Sequence, residues 1–220
     1  MNATSRPAGA GIKISLEGNI SSGKTTVLTK LSDVHGVRTI VEPVESWTLL
    51  SRFYDDPRRW CLSLSTQILL SLCQPQSAPD TVSDTVSVHE RSCVSCKNVF
   101  FRNSVSDGHV DPDETAVFEG LYSRIAWTPE AFVYLRTDPA TCFARMKRRG
   151  RPSERGVSVE YLENIHRGHE RMFEDLRNRG VRVIEVDGDR EESEVLEAAF
   201  VAIAEIRGNA IADIRGTAIR

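Results

Sequence analysis

No stretch of the 220-residue chain holds the run of about 18 apolar residues that a membrane-spanning helix needs. Charge of one sign is not in excess either, since 28 Lys and Arg against 31 Asp and Glu leave a formal net charge of -3 at pH 7. A broad electropositive field is therefore excluded, and any polyanion site must be local. Neither nucleic acid nor a membrane is an expected partner. Cysteine is scarce: five residues, an odd count without paired spacing, argue against a disulfide scaffold. The N-terminal stretch has no apolar h-region, so the expected compartment is a reducing one, the cytoplasm. Disorder is excluded by what is plentiful, with 40% hydrophobic and 27% charged residues. The length suits one domain, which at this size buries roughly 70% of its unfolded surface and needs no disulfide or metal staple.

Residues 1–11 are small, polar and Gly/Pro-bearing and read as a disordered tail. Short β-rich apolar runs then alternate with longer segments of helical period. Strands are expected at 12–17, 39–42, 85–89, 132–135 and 182–186, and helices at 60–73, 115–127, 140–149 and 159–176. That alternation predicts an α/β fold, a doubly wound five-stranded parallel sheet with helices on both faces. The Pro/Ser-rich stretch 74–84 reads as a loop inside the domain, which extends over 12–207. A near-repeat, IAEIRGNA followed by IADIRGTA, makes 208–220 a tail or an extension of the last helix.

The strongest motif is Gly18-Asn19-Ile20-Ser21-Ser22-Gly23-Lys24-Thr25, a complete G-x-x-x-x-G-K-[ST] between the strand KISLE and the helical TTVLTKL, in which Thr26 follows Thr25. Glycines let backbone N–H groups curl round a phosphate, and the helix N-terminus adds the positive end of its dipole. Lys24 neutralises β and γ oxygens, and the Thr25 hydroxyl can bind Mg²⁺. A nucleoside triphosphate site follows, which alone does not separate a kinase from a switch or a motor. No N-K-x-D and no Walker B acid at the end of an apolar strand is evident. Instead the second strand runs into Glu42-Pro43-Val44-Glu45-Ser46-Trp47 and the third into His89-Glu90-Arg91-Ser92. Ligands of open parallel sheets bind at the carboxyl ends of the strands, so Glu42, Glu90 and Arg91 should face the phosphate cradle. A carboxylate there can take a proton from an attacking hydroxyl, and an arginine can hold the transferring charge. Glu42 suits the first role, Arg91 the second and Glu90 the coordination of Mg²⁺. Six bases within residues 145–155, among them Arg145, Arg149 and Arg151, read from charge alone as a solvated helix face or an anion-binding lid.

Five blocks together resemble the deoxyribonucleoside kinase family, the group of deoxycytidine, deoxyguanosine and mitochondrial-type thymidine kinases, with herpesviral thymidine kinases more distant. The blocks are ISLEGNISSGKTT, VEPVESW, LLSRFYDDPRRW, HERSCVSCKNVF and the long run from FVYLRTDPATCFARMKRRGRPSERG to NIHRGHE. The resemblance implies transfer of the ATP γ-phosphoryl, with Mg²⁺, to the 5'-hydroxyl of a small-molecule deoxynucleoside for DNA precursor salvage. It implies Glu42 as general base, Arg91 on the 5'-hydroxyl, and Glu90 with Thr25 on Mg²⁺. Trp47 would wall the base pocket, Tyr54 and Glu154 would share the sugar 3'-hydroxyl, and Arg145, Arg149 and Arg151 would close on ATP phosphates. The adenine would lie near 187–189, and a homodimer would form through long helices. Where the family places a base-pairing glutamine this chain has Ser65. Gln67, two positions on in a Ser-x-Gln-Ile pattern shared with herpesviral thymidine kinases, is the expected replacement, which requires a rewound helix because two residues turn it by roughly 200°. Ile68, Leu72 and Cys96 complete the expected base pocket. All three are uncharged, which favours thymidine over deoxycytidine.

Two alternatives remain at this point: a nucleoside monophosphate (thymidylate) kinase, which needs further cations for the acceptor phosphate, and a non-catalytic ATP-binding regulator, which has no use for Glu42. The Cys93-x-x-Cys96 spacing lacks a second pair, and His166, His169 and Glu170 lack the H-E-x-x-H pattern, so helix packing is expected of both groups.

Overall fold

The computed structural model describes residues 11–32, 37–73 and 86–217, with side chains as far as residue 208. Residues 1–10 of the expected tail and the expected loop 74–84 lie outside the described residues. Five strands, β1 (Ile12–Gly18), β2 (Val37–Ile40), β3 (Val86–Glu90), β4 (Ala131–Arg136) and β5 (Arg182–Asp187), form one sheet in the order β2-β3-β1-β4-β5. Every described pairing is parallel. The expected doubly wound sheet is thus present. β1 lies at its centre, where the connections switch sides, and a ligand crevice opens at such a point.

Side chains alternate between the faces of a strand, and each face has its own helices. Ile12, Ile14, Leu16, Val133 and Leu135 meet Val27, Leu28 and Leu31 of α1 (Lys24–Leu31) and Ala199, Ala202 and Ile203 of α9 (Glu192–Thr217). Phe132 and Tyr134 face the other way, onto Ile165, Met172 and Phe173 of α8 (Val159–Asn178). His169 is wholly buried there, stacked on Tyr134 with its Nδ1 3.0 Å from the Ile165 carbonyl. Burial pushes its pKa well below the usual imidazole range, so it is a neutral packing residue.

A third cluster involves no strand. It joins α2 (Leu50–Asp55), α3 (Pro57–Cys73) and α6 (Pro112–Ile125) to the helix that follows β3. That helix starts as α4 (Cys93–Ser95), widens into a π-helical stretch over Cys96–Phe101 and continues as α5 (Arg102–Ser106). α6 begins with a full capping box between Asp111 and Glu114. α7 (Pro139–Arg149) starts on an Asp138 side chain that accepts from the Ala140 N–H, and stops at Gly150, whose φ of 67° is left-handed. Among the described residues no helix is long and apolar enough to cross a membrane.

One expected strand is displaced. β2 ends at Ile40, not Glu42, because Pro43 has no N–H to donate and restricts the residue before it. Glu42 leaves the ladder, and its N–H turns to the Glu90 carboxylate at 3.3 Å. The third cluster holds the wall opposite the sheet, and its centre is Phe118, fully buried and stacked on Phe101 with centroids 3.8 Å apart. Phe118→Ala should cost about 3–5 kcal/mol in urea unfolding of the free protein. A loss below about 1 kcal/mol would remove Phe118 from the core.

Candidate active site

Between β1 and α1 the backbone folds into the cradle that the motif requires. Gly18, Ser21 and Gly23 have φ of 152°, 62° and 108°. A Cβ on Gly18 would lie 2.6 Å from Ser22 Oγ and 2.7 Å from the Leu135 carbonyl, so only glycine fits. Asn19 Nδ2 donates to the Leu162 carbonyl at 2.9 Å and anchors the loop to α8. Lys24 reaches back, donating from Nζ to the Gly18 and Asn19 carbonyls at 3.1 and 2.8 Å. Burial, with the Arg91 charge nearby, lowers its pKa to about 8. The Ser21 and Ser22 hydroxyls are buried without a partner among the described residues. Free hydroxyls, curled backbone and a lysine together fit a polyphosphate.

Facing the cradle, Glu42 and Arg91 form a buried ion pair, Arg91 Nε donating to Glu42 Oε1 at 2.6 Å with 7% and 6% of the two side chains exposed. Arg91 has a φ of 70°, the left-handed region that a branched-chain-sized residue occupies only under constraint. Its guanidinium lies over the Phe100 ring, 4.2 Å from the centroid. Burial raises the Glu42 pKa, partly offset by Arg91. Glu90 Oε1 accepts from Thr25 Oγ1 at 2.7 Å, joining the two oxygen groups expected to hold Mg²⁺.

One continuous cavity of about 720 Å³ connects these groups. Ile20 to Thr26, Glu42, Glu90 and Arg91 line its phosphate end. Trp47, Tyr54, Ser65, Ile68, Cys96 and Glu154 line the deeper end. Arg145, Arg149 and Arg151 close one side, and Gly188 and Asp189 lie beyond them. Arg145 Nη1 donates to the Gly188 carbonyl at 3.0 Å. Arg149 holds both oxygens of Glu154, at 2.7 and 2.8 Å, and Arg151 pairs with Glu154 and Glu45 at 3.4 and 3.7 Å.

Two of the residues expected around the base do not reach the cavity. The Gln67 amide is engaged outside it, accepting from the Leu49 N–H and donating to Thr48 Oγ1. α3 is regular through that turn, so two residues of rotation carry Gln67 away and leave Ser65 facing the cavity. Leu72 is also absent from the cavity wall. It packs in the third cluster, and its carbonyl accepts from Trp127 Nε1 at 2.9 Å. Sequence reasoning missed Phe100, Leu64, Ser104 and Tyr161, which line the cavity, and Glu17, buried beside it. The only acid on β1, directly before Gly18, was the available signal for Glu17.

A strand-cradle-helix unit at the centre of a parallel sheet defines the P-loop fold. Within it the chain belongs to the deoxynucleoside kinase family, whose sequence profile matches residues 14–206. It is 35% identical to mitochondrial thymidine kinase 2 of Homo sapiens over 71% of this chain, and the match spans 62% of that protein's length. It is 31% identical to deoxycytidine kinase 2 of Gallus gallus, over 80% of this chain and 83% of that one. A solved structure of deoxyadenosine kinase from M. mycoides with bound dCTP superposes with a TM-score of 0.76, covering 88% of this chain and all of the other at 19% identity, a likeness of fold.

A Lys24 pKa near 8 in the free protein sets a pH dependence. A bound polyphosphate favours the charged lysine, so above pH 8 binding must be accompanied by proton uptake. Affinity for a nucleoside triphosphate should therefore fall, by up to about tenfold per pH unit, between pH 8 and the higher pKa of the complex. Calorimetric titration at pH 7 to 9.5 checks this, and Lys24→Met should bind more weakly and lose the slope.

Proposed function

We propose that this protein transfers the γ-phosphoryl of ATP to the 5'-hydroxyl of a deoxynucleoside, with thymidine preferred. The observation that carries this reading is the buried Glu42–Arg91 pair facing the Lys24 cradle across one cavity. Glu42 accepts the 5'-hydroxyl proton as the oxygen attacks the γ-phosphorus, the bond to the β-bridging oxygen breaks, and ADP leaves. Arg91 steadies charge on the attacking oxygen, and Lys24 with Arg145, Arg149 and Arg151 does so on the donor phosphates. Thr25 and Glu90 would hold Mg²⁺, whose chemistry is to neutralise the β and γ oxygens. The adenine lies toward 187–189. At the sugar, Tyr54 and Glu154 take the 3'-hydroxyl. Burial, and then Glu154, raise the Tyr54 pKa, which keeps its hydroxyl a donor.

For the base, Ser65, Ile68 and Cys96 offer small or apolar contacts and no charge. A C5 methyl gains about 0.8 kcal/mol in such a pocket, roughly fourfold in kcat/KM. Relatives named for both thymidine and deoxycytidine fit a pocket whose base preference is tuned at a few positions.

Glu42→Gln should leave ATP affinity within about twofold and lower kcat by roughly 10² to 10⁴. A loss below about fivefold overturns the assignment of the base. Release of ADP should be measured with the four deoxynucleosides, 3'-deoxythymidine and thymidylate. Thymidine should lead deoxycytidine, and the 3'-deoxy analogue should lose about 1–3 kcal/mol in kcat/KM as Tyr54 and Glu154 lose their partner. Faster turnover of thymidylate than of thymidine would make the acceptor a monophosphate instead.

A further inference from the structure

Glu17 is the only acid on β1 and is fully buried, and the reaction proposed above assigns it no task. Its surroundings are unusual for a buried carboxylate. One oxygen, Oε1, accepts from four donors: Ser15 Oγ at 2.8 Å, Ser92 N at 2.9 Å, Ser92 Oγ at 2.7 Å and Ser95 Oγ at 2.9 Å. Three of those donors belong to the turn and first helical residues immediately after Arg91. On the other side of Arg91, its own N–H donates to the Leu16 carbonyl at 3.0 Å. Residues 16 and 17 of the central strand thus grip the peptide units before and after Arg91.

That grip acts where the backbone needs it. A non-glycine residue at a φ of 70° costs on the order of 1 kcal/mol or more and persists only when its neighbours over-determine it. The conformation sends the Arg91 side chain toward Glu42 and over Phe100. The Glu17 charge also acts at a distance. Against the cost of burial, the Glu42 and Glu17 carboxylates hold Arg91 above its ordinary pKa, and Glu17 is among the acids that favour charged Lys24. A glutamine would be a poor substitute. Its oxygen lacks the charge that lets one atom accept four hydrogen bonds, and its amide nitrogen would take the place of Oε2, which is buried without a partner among the described residues.

We propose that Glu17 is a positioning residue for phosphoryl transfer: by clamping Ser92 and Ser95 it holds the β3–α4 turn in the left-handed conformation that aims Arg91 at the reacting oxygens. The proposal rests on the role given to Arg91 above, and the test separates the two. Glu17→Gln, Arg91→Ala and the double variant are assayed by transfer of radiolabelled phosphate, with kcat and both KM values determined and folding followed by thermal unfolding. Glu17→Gln should lower kcat by roughly 10- to 100-fold with each KM within about threefold, and in the Arg91→Ala background the same substitution should cost less than about threefold. A full additive loss in that background, or a Glu17→Gln kcat within about threefold of the parent, overturns the proposal. Should Glu17→Gln not fold, the Ser92→Ala, Ser95→Ala variant removes the two hydroxyl donors that follow Arg91 and keeps the carboxylate. It should lower kcat about fivefold, again only while Arg91 is present, and an unchanged or additive kcat overturns the clamp. An Arg91→Ala enzyme within about fivefold of the parent would instead overturn the role of Arg91, whatever Glu17 does.

Discussion

The site depends on one ladder contact at the carboxyl end of the sheet. β1 and β3 run parallel with Leu16 opposite Glu90, and the Arg91 N–H closes the pairing on the Leu16 carbonyl. Past that point each strand becomes a functional loop, β1 the phosphate cradle and β3 the turn that carries Arg91. Their register fixes how far the Lys24 loop lies from Glu90 and Arg91. A slip by one residue would turn Glu90 to the other face of the sheet, away from Thr25. The ordinary cross-strand bonding of a buried parallel pair therefore sets the geometry of the chemistry.

The buried charges around that contact are mutually dependent. Glu17, Glu42 and Glu90 face Lys24 and Arg91 in a region almost closed to water. Burial favours the neutral form of Lys24, and the three acids oppose that. Glu42 shows the reverse balance, since burial favours its protonated form and Arg91 favours the charged one. Each is held between opposing influences rather than committed to one state.

Much of this was legible in the sequence because it depends on local pattern. The cradle is a spacing motif, the sheet is an alternation of apolar runs, and α7 and α8 carry period and caps together. The failures have a common physical origin. β2 slipped because Pro43 and the turn of the Glu42 N–H to Glu90 are tertiary matters, whereas Val41 and Glu42 by themselves still look like strand. Gln67 was expected at the base through the Ser-x-Gln-Ile resemblance, yet its direction follows from the helical phase of α3, and Leu49 and Thr48 claim it first. Glu17 went unnoticed because its partners, Ser92 and Ser95, are some 75 residues away and hydroxyls leave no periodic trace. The π-helical stretch that aims Cys96 and Phe100 at the cavity likewise has no composition of its own.

The separation of the hydrophobic clusters has a consequence for how such a protein can diverge. Trp47, Phe53, Leu64, Cys96 and Phe118 belong to a cluster that includes no strand residue, while the cradle and Arg91 are carried by the sheet. Changes of side chain at that end of the cavity can be absorbed by neighbours on α3, α6 and the π-helical stretch without moving β1 or β3. Sequence drift in one half of the cavity can then proceed without disturbing the other half.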